Sequence, residues 1–372
     1  GGQLTVGTGV TIGIAGIATF RSGRIDVGDS LYNTSIGEAA GDAYTTGSRS
    51  VAVGYNALSQ ATTGAYNSGV GMQALDATTT GNYNTAFGAY ALAGNTTADA
   101  NTAIGGRAMI TNTTGGYNTA VGDQALEANT TASENTAVGY FALTANTTGT
   151  VNTAVGSQAL ATNTTGGYNV AIGREALKAN TTASYNDALG YYALGANTTG
   201  TQNVSLGSKT LMTNTTGDNN TAVGYEALND NTTADNNTAV GSMALYKNTT
   251  GVDNVALGMK VLNTNTTGYQ NVGVGNSALG LNVSGRSNTA VGNRSLETNT
   301  GNYNTAVGHF TLAANTTGGD NVSIGSGSLA ANTTGANNVA VGAAALDANT
   351  TASNNTAVGY DALGANTIGT QN

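Results

Sequence analysis

Along most of the chain a threonine or valine, a small residue, a large apolar residue and a glycine follow one another. The phrase returns every seventeen positions, as in Asn118-Thr119-Ala120-Val121-Gly122 and Asn135-Thr136-Ala137-Val138-Gly139. Twenty such anchor glycines run from Gly37 to Gly359, with a single step of sixteen between Gly292 and Gly308. Alternation of this kind has the period of two that a strand requires. Four residues after the anchor a second apolar site holds Leu in nearly every copy and Met109 in one. Ala usually precedes it, so a second short strand of the form Ala-Leu-x-Ala is expected.

Positions one and two after the anchor vary freely (Tyr55-Asn56, Arg174-Glu175, Met259-Lys260), which marks a corner facing solvent. The other corner is Asn-Thr-Thr-Gly, as at Asn146 to Gly149, and such polar clusters are turn chemistry. Ala replaces the turn glycine at Ala98, Ala132, Ala183, Ala234 and Ala352, so a left-handed backbone is not expected there and the corner should be smooth. The short copy reads Asn299-Thr300-Gly301, which predicts a tighter corner at Thr300 with the stack unbroken on either side. Recurrent glycine and β-branched residues exclude helix.

A strict period in this range means stacked units, each burying its apolar side against its neighbours. The expected fold is all-β, a parallel β-roll or β-helix solenoid of twenty 17-residue coils. At ~4.8 Å per coil it makes a rod of about 95 Å. The array covers residues 33–372 and is expected to continue past the last of them. Residues 1–32 differ: Leu4, Val6, Val10, Ile12 and Ile14 alternate with Gly and Thr, and Ile17 to Phe20 and Arg24 to Val27 look strand-like. They are expected to cap the first coil or join it to another segment.

In a stack, equivalent asparagines lie one above another, and aligned amides can hydrogen-bond along the column. Asn101, Asn118, Asn135, Asn152 and Asn169 are therefore assigned to a structural ladder. Val121, Leu126, Val138, Leu143, Val155 and Leu160 are assigned to the coil core. Two large apolar side chains per coil make a thin core for seventeen ordered residues, so lateral association of identical chains is expected. The small residues Ala120, Gly122, Ala137, Gly139, Ala154 and Gly156 would let another backbone come close, and they are assigned to the intersubunit face.

Composition narrows the partners. Only 8% of the 372 residues are charged, and Pro, Cys and Trp are absent, so neither disulfides nor thiolate metal sites can reinforce the core. The net charge of −9 is spread out, and the eleven basic residues form no stripe, which argues against nucleic acid. No apolar stretch reaches the ~18 residues of a membrane span.

Asn-Thr-Ala-Val-Gly followed by x-x-Ala-Leu resembles the head repeat of trimeric autotransporter adhesins, and more closely the repeats of bacteriophage tail-fibre and other virion-fibre proteins. The likeness extends from Asn33 to Asn372. It implies a left-handed parallel β-roll assembled as an elongated homotrimer, with the small residues toward the threefold axis. It further implies a rigid shaft of a tail fibre or virion appendage that carries a receptor-binding tip, with other fibre or virion proteins as partners. The alternative is a bacterial surface adhesin whose rod itself binds a host receptor or glycan.

Catalysis needs converging groups, and the candidates are scattered. His309 is the one histidine and sits in a variable corner, and the carboxylates, including the pairs Asp230/Asp235 and Asp123/Glu127, fall mostly at corner positions too. No enzyme activity, metal or cofactor is expected. The Asn-Thr-Thr triplets match a glycosylation acceptor pattern that the turn already explains, and their adjacent threonines do not form the flat grid of an ice-binding face. Tyrosines flank the strands, as at Tyr66, Tyr83, Tyr168 and Tyr185, where they either shield coil edges or offer a saccharide-stacking surface.

Overall fold

The computed structural model describes residues 29–372. The strand-like pieces expected between Leu4 and Val27, and most of the segment 1–32, lie outside the described residues. From Thr34–Ile36 to Thr356–Val358 the chain forms twenty strands of three residues, and every regular element among the described residues is a strand. Each strand pairs in parallel with its equivalent in the coils on either side, so Ala120 lies between Ala103 and Ala137. The register advances by seventeen throughout and by sixteen at one place, Thr289 to Thr305. The result is an all-β parallel solenoid.

One strand per coil is formed, where two were expected. The segment Ala125-Leu126 is a turn, with Gln124 and Leu126 both left-handed at φ 57° and 55°. Seventeen residues must close around a narrow interior, and the left-handed residues supply the bends. The bends keep the backbone satisfied, because each N–H is aimed at a neighbouring coil. Gln124 N–H donates to the Gly106 carbonyl of the preceding coil at 3.0 Å, and Leu126 N–H donates to the Ala142 carbonyl of the following one at 3.0 Å. At the Asn-Thr-Thr-Gly corner the turn glycine, such as Gly149, is not left-handed, and other coils carry Ala in the same place, as at Ala132.

The interior holds one leucine, two alanines and two asparagines per coil. Leu126, Leu143 and Leu160 are wholly buried, and so are Ala120, Ala137 and Ala154. Two assignments are corrected here. Val121, Val138 and Val155 are not core residues, since they point outward and remain partly exposed. Ala120, Ala137 and Ala154 are not on an outer face, since they fill the coil. In a three-residue strand the outer two side chains share one face and the middle one takes the other. Only a small side chain fits opposite the leucine. The fit is tight enough that Val261 replaces the usual alanine only where Gly273 faces it, and a Cβ on Gly273 would meet the Val261 side chain.

Candidate functional site: asparagine columns and an apolar sheet face

Asn101, Asn118, Asn135, Asn152 and Asn169 stand in one buried column immediately before the strands. Asn118 Oδ1 accepts the Asn135 backbone N–H at 2.9 Å and its Nδ2 at 3.3 Å, and Asn135 Oδ1 accepts the same pair from Asn152 at 3.0 and 3.2 Å. Each Nδ2 also donates across the coil, from Asn118 to the Ala132 carbonyl at 2.9 Å and from Asn135 to that of Gly149 at 3.0 Å. A second column starts the Asn-Thr-Thr corner, where Asn129 Nδ2 donates to Asn112 Oδ1 at 2.7 Å and to the same Ala132 carbonyl at 3.0 Å. The two columns thus clasp one carbonyl from both sides. A buried amide needs such partners, because an unmatched one is costly.

Gly122, Gly139 and Gly156 stack backbone on backbone within their own chain. A Cβ on Gly122 would lie 2.5 Å from the Gly139 carbonyl oxygen, so these glycines admit the next coil.

Hydroxyls form further buried contacts that sequence reasoning missed. Ser205 Oγ donates to the Thr210 carbonyl at 3.0 Å, and Ser323 Oγ to that of Ser328 at 3.0 Å. The signal was present: in both coils a serine two before the anchor accompanies a hydroxyl residue three after it, where alanine is usual.

The outward face of the sheet carries an apolar column over its whole length. One column holds mainly Thr and Val; the other is Val, Ile, Leu or Phe throughout, with Phe87 58% and Leu189 47% exposed. Among these outward strand positions Asp187 carries the one charge. A depression of about 190 Å³ beside it is lined by Val170, Leu189, Val204 and Leu206.

The candidate catalytic groups are not brought together. His309 is exposed and packs edge-on against Phe310, with ring centroids 4.4 Å apart. Asp235 Oδ1 accepts the Asp218 N–H of the preceding coil at 2.7 Å, and Glu127 lies 3.6 Å from the Arg107 guanidinium of its neighbour. Burial pushes the Asp230 carboxyl up. Among the described residues no three His, Asp or Glu converge as metal ligands, and no helix is long and apolar enough to cross a membrane.

Four of the tyrosines use ring faces on one another. Tyr66 stacks on Tyr83 at 4.9 Å and Tyr168 on Tyr185 at 5.1 Å. The Arg49 guanidinium sits between Tyr32 and Tyr66, and its Nη1 donates to the Tyr66 hydroxyl at 2.8 Å. Tyr55, Tyr117, Tyr225 and Tyr360 are exposed and take part in no stack.

Glu175 is buried beneath Arg174 at 2.8 Å and Lys178 at 3.0 Å. A hydrogen bond from Tyr192, with help from these two cations, holds its carboxyl below the ordinary 4.5 despite burial. A depressed carboxylate stabilises the fold above its unfolded pKa, and the benefit is lost as pH falls through the folded value. Glu175→Gln is therefore expected to lower the melting temperature at pH 7 and to make little difference at pH 3. Equal losses at both pH values, measured by circular dichroism, would refute this.

No protein-family model matches the chain, and no curated protein is similar to it.

Proposed function

We propose that the chain is a structural fibre segment whose copies associate side by side through the outward sheet face. The shaft is an elongated homotrimer of left-handed coils in a phage tail fibre or other virion appendage, and it holds a receptor-binding tip away from the particle. The observation that carries this proposal is the unbroken column of Val, Ile, Leu and Phe along the outward sheet face. Contiguous exposed apolar surface of this extent marks an interaction site. About 95 Å long and two side chains wide, the whole face offers on the order of 700–900 Å² per copy, which a trimer divides between two neighbours. The contact is made by Thr119, Val121, Thr136, Val138 and their equivalents, not by the alanines. The alternative is an adhesin whose rod binds glycan through the exposed tyrosines outside the two stacks, such as Tyr117 and Tyr225.

Sedimentation equilibrium tests the assembly. The wild-type chain is expected to run as a trimer, and Val138→Lys with Val155→Lys as a monomer with unchanged circular dichroism. A stable, folded wild-type monomer would end the proposal, and saturable glycan binding by such a monomer would favour the adhesin.

A further inference from the structure

We propose that the solenoid carries a built-in joint, at the corner where Asn282–Gly285 meets Asn299–Gly301, and that the described array opens there before any other coil. Two sequence departures coincide at this corner. Val283 stands where neighbouring coils have threonine, and the next coil lacks one residue, reading Asn299-Thr300-Gly301.

The regular corner just before it shows what is lost. Thr266 and Thr267 N–H donate to the Val283 carbonyl at 2.9 and 3.2 Å, Thr266 Oγ1 donates to it at 3.1 Å, and Asn282 Nδ2 reaches Asn265 Oδ1 at 2.8 Å. None of the four has a counterpart in the next step. Neither Val283 nor Ser284 N–H reaches the Thr300 carbonyl, and Val283 has no hydroxyl. Asn299 Nδ2 bonds only the Gly301 carbonyl, at 2.9 Å, which leaves Asn282 Oδ1 buried without a partner. One coil further on the bonds return: Thr300 N–H and Oγ1 donate to the Thr316 carbonyl at 2.7 and 2.8 Å, and Asn315 Nδ2 to Asn299 Oδ1 at 2.6 Å.

The opposite wall stays closed. Thr289 pairs with Thr305, Asn304 Nδ2 donates to Asn288 Oδ1 at 3.2 Å, and Leu279 N–H to the Ser295 carbonyl at 3.0 Å. The sheet is therefore a spine about which the corner parts. Surface packing is thin on the same side: Leu281 is 51% and Val283 44% exposed. A hollow of about 220 Å³ over Gly280 separates Lys260 from Glu297. In a stack whose units touch only their neighbours, opening begins at the weakest junction.

Limited trypsin digestion and hydrogen exchange of the full chain test this. Among the described residues the first cut is expected after Arg286, ahead of Lys247 and Lys260. The amides of Leu281 and Tyr303, which donate across this junction to the Glu297 and Arg286 carbonyls, should exchange at least about tenfold faster than those of Lys247 and Gln270, their equivalents at a closed junction. Val283→Thr combined with a threonine inserted after Thr300 should slow both by a similar factor. Conversely, Thr147→Val with deletion of Thr165 should create a second opening, read as faster exchange at Ala145 and Tyr168, whose amides donate across that junction. Uniform cutting and exchange along the corners, a repaired variant that behaves like wild type, or a transplanted lesion without effect would each overturn the joint.

Discussion

Alanine in place of Gly139 is expected to separate two coils of the stack, at a cost of about 3 kcal/mol or more in denaturant unfolding. Gly139 has φ +137°, outside the range an L side chain readily adopts. A Cβ there would lie 2.6 Å from the Gly156 carbonyl oxygen, which belongs to backbone and has no rotamer with which to yield. The strain cannot be relieved by shifting one coil, because Gly139 N–H is held to the Val121 carbonyl at 2.7 Å on the other side. Gly327 provides the contrast. It is left-handed at φ 67° with nothing near its missing Cβ, and Ala344 holds the equivalent place in the next coil at φ 55°. Gly327→Ala should therefore cost no more than about 1 kcal/mol. Similar losses for the two variants would contradict the close approach of the coils.

Asn135→Asp is expected to be the other severe change, costing about 3–5 kcal/mol at neutral pH, the range for a buried charge left without a counter-ion. The amide donates from Nδ2 to Asn118 Oδ1 and to the Gly149 carbonyl, and a carboxylate would turn its oxygen toward both acceptors. Asn135 is wholly buried, so water cannot compensate. The sign of the pH dependence follows. Burial raises the new carboxyl's pKa in the fold above its unfolded value of about 3.9, so the charge penalty vanishes below that value and grows as pH rises, while the loss of one of the two donors remains at every pH. Asn219→Asp, at an exposed corner, should stay within about 0.5 kcal/mol at every pH. Thermal melts of both variants between pH 3 and 8 would check this, and a pH-independent loss for Asn135→Asp would refute the buried-charge account.

How far the candidate sites were legible depends on what each rests on. The asparagine columns were legible because they need only the period: any residue repeated every seventeen positions stacks on itself. The face of the strand was not. Period two tells that Thr119 and Val121 share a side and that Ala120 takes the other, but it does not tell which side is inside. Assigning the larger residue to the core follows the general preference for buried apolar side chains. That preference fails here because left-handed bends at Gln124 and Leu126 draw the coil too tight for valine opposite leucine. Those bends were invisible for a related reason, since Leu is an uncommon occupant of left-handed backbone and Ala-Leu-x-Ala reads as strand. At Thr300 the continuity of the sheet was legible, and the loss of four corner bonds between Val283 and Thr300 was not.

The sequence by itself determined the repeat, the parallel stacking, the strand in each coil and the alignment of the asparagines, because all of these follow from a fixed period and local alternation. Only the tertiary structure decided that the alanines lie within and the valines without, that a turn replaces the second strand, and that one corner is left unbonded. These depend on how tightly seventeen residues close on themselves, a property of the whole coil's dihedral angles that no single stretch of residues carries.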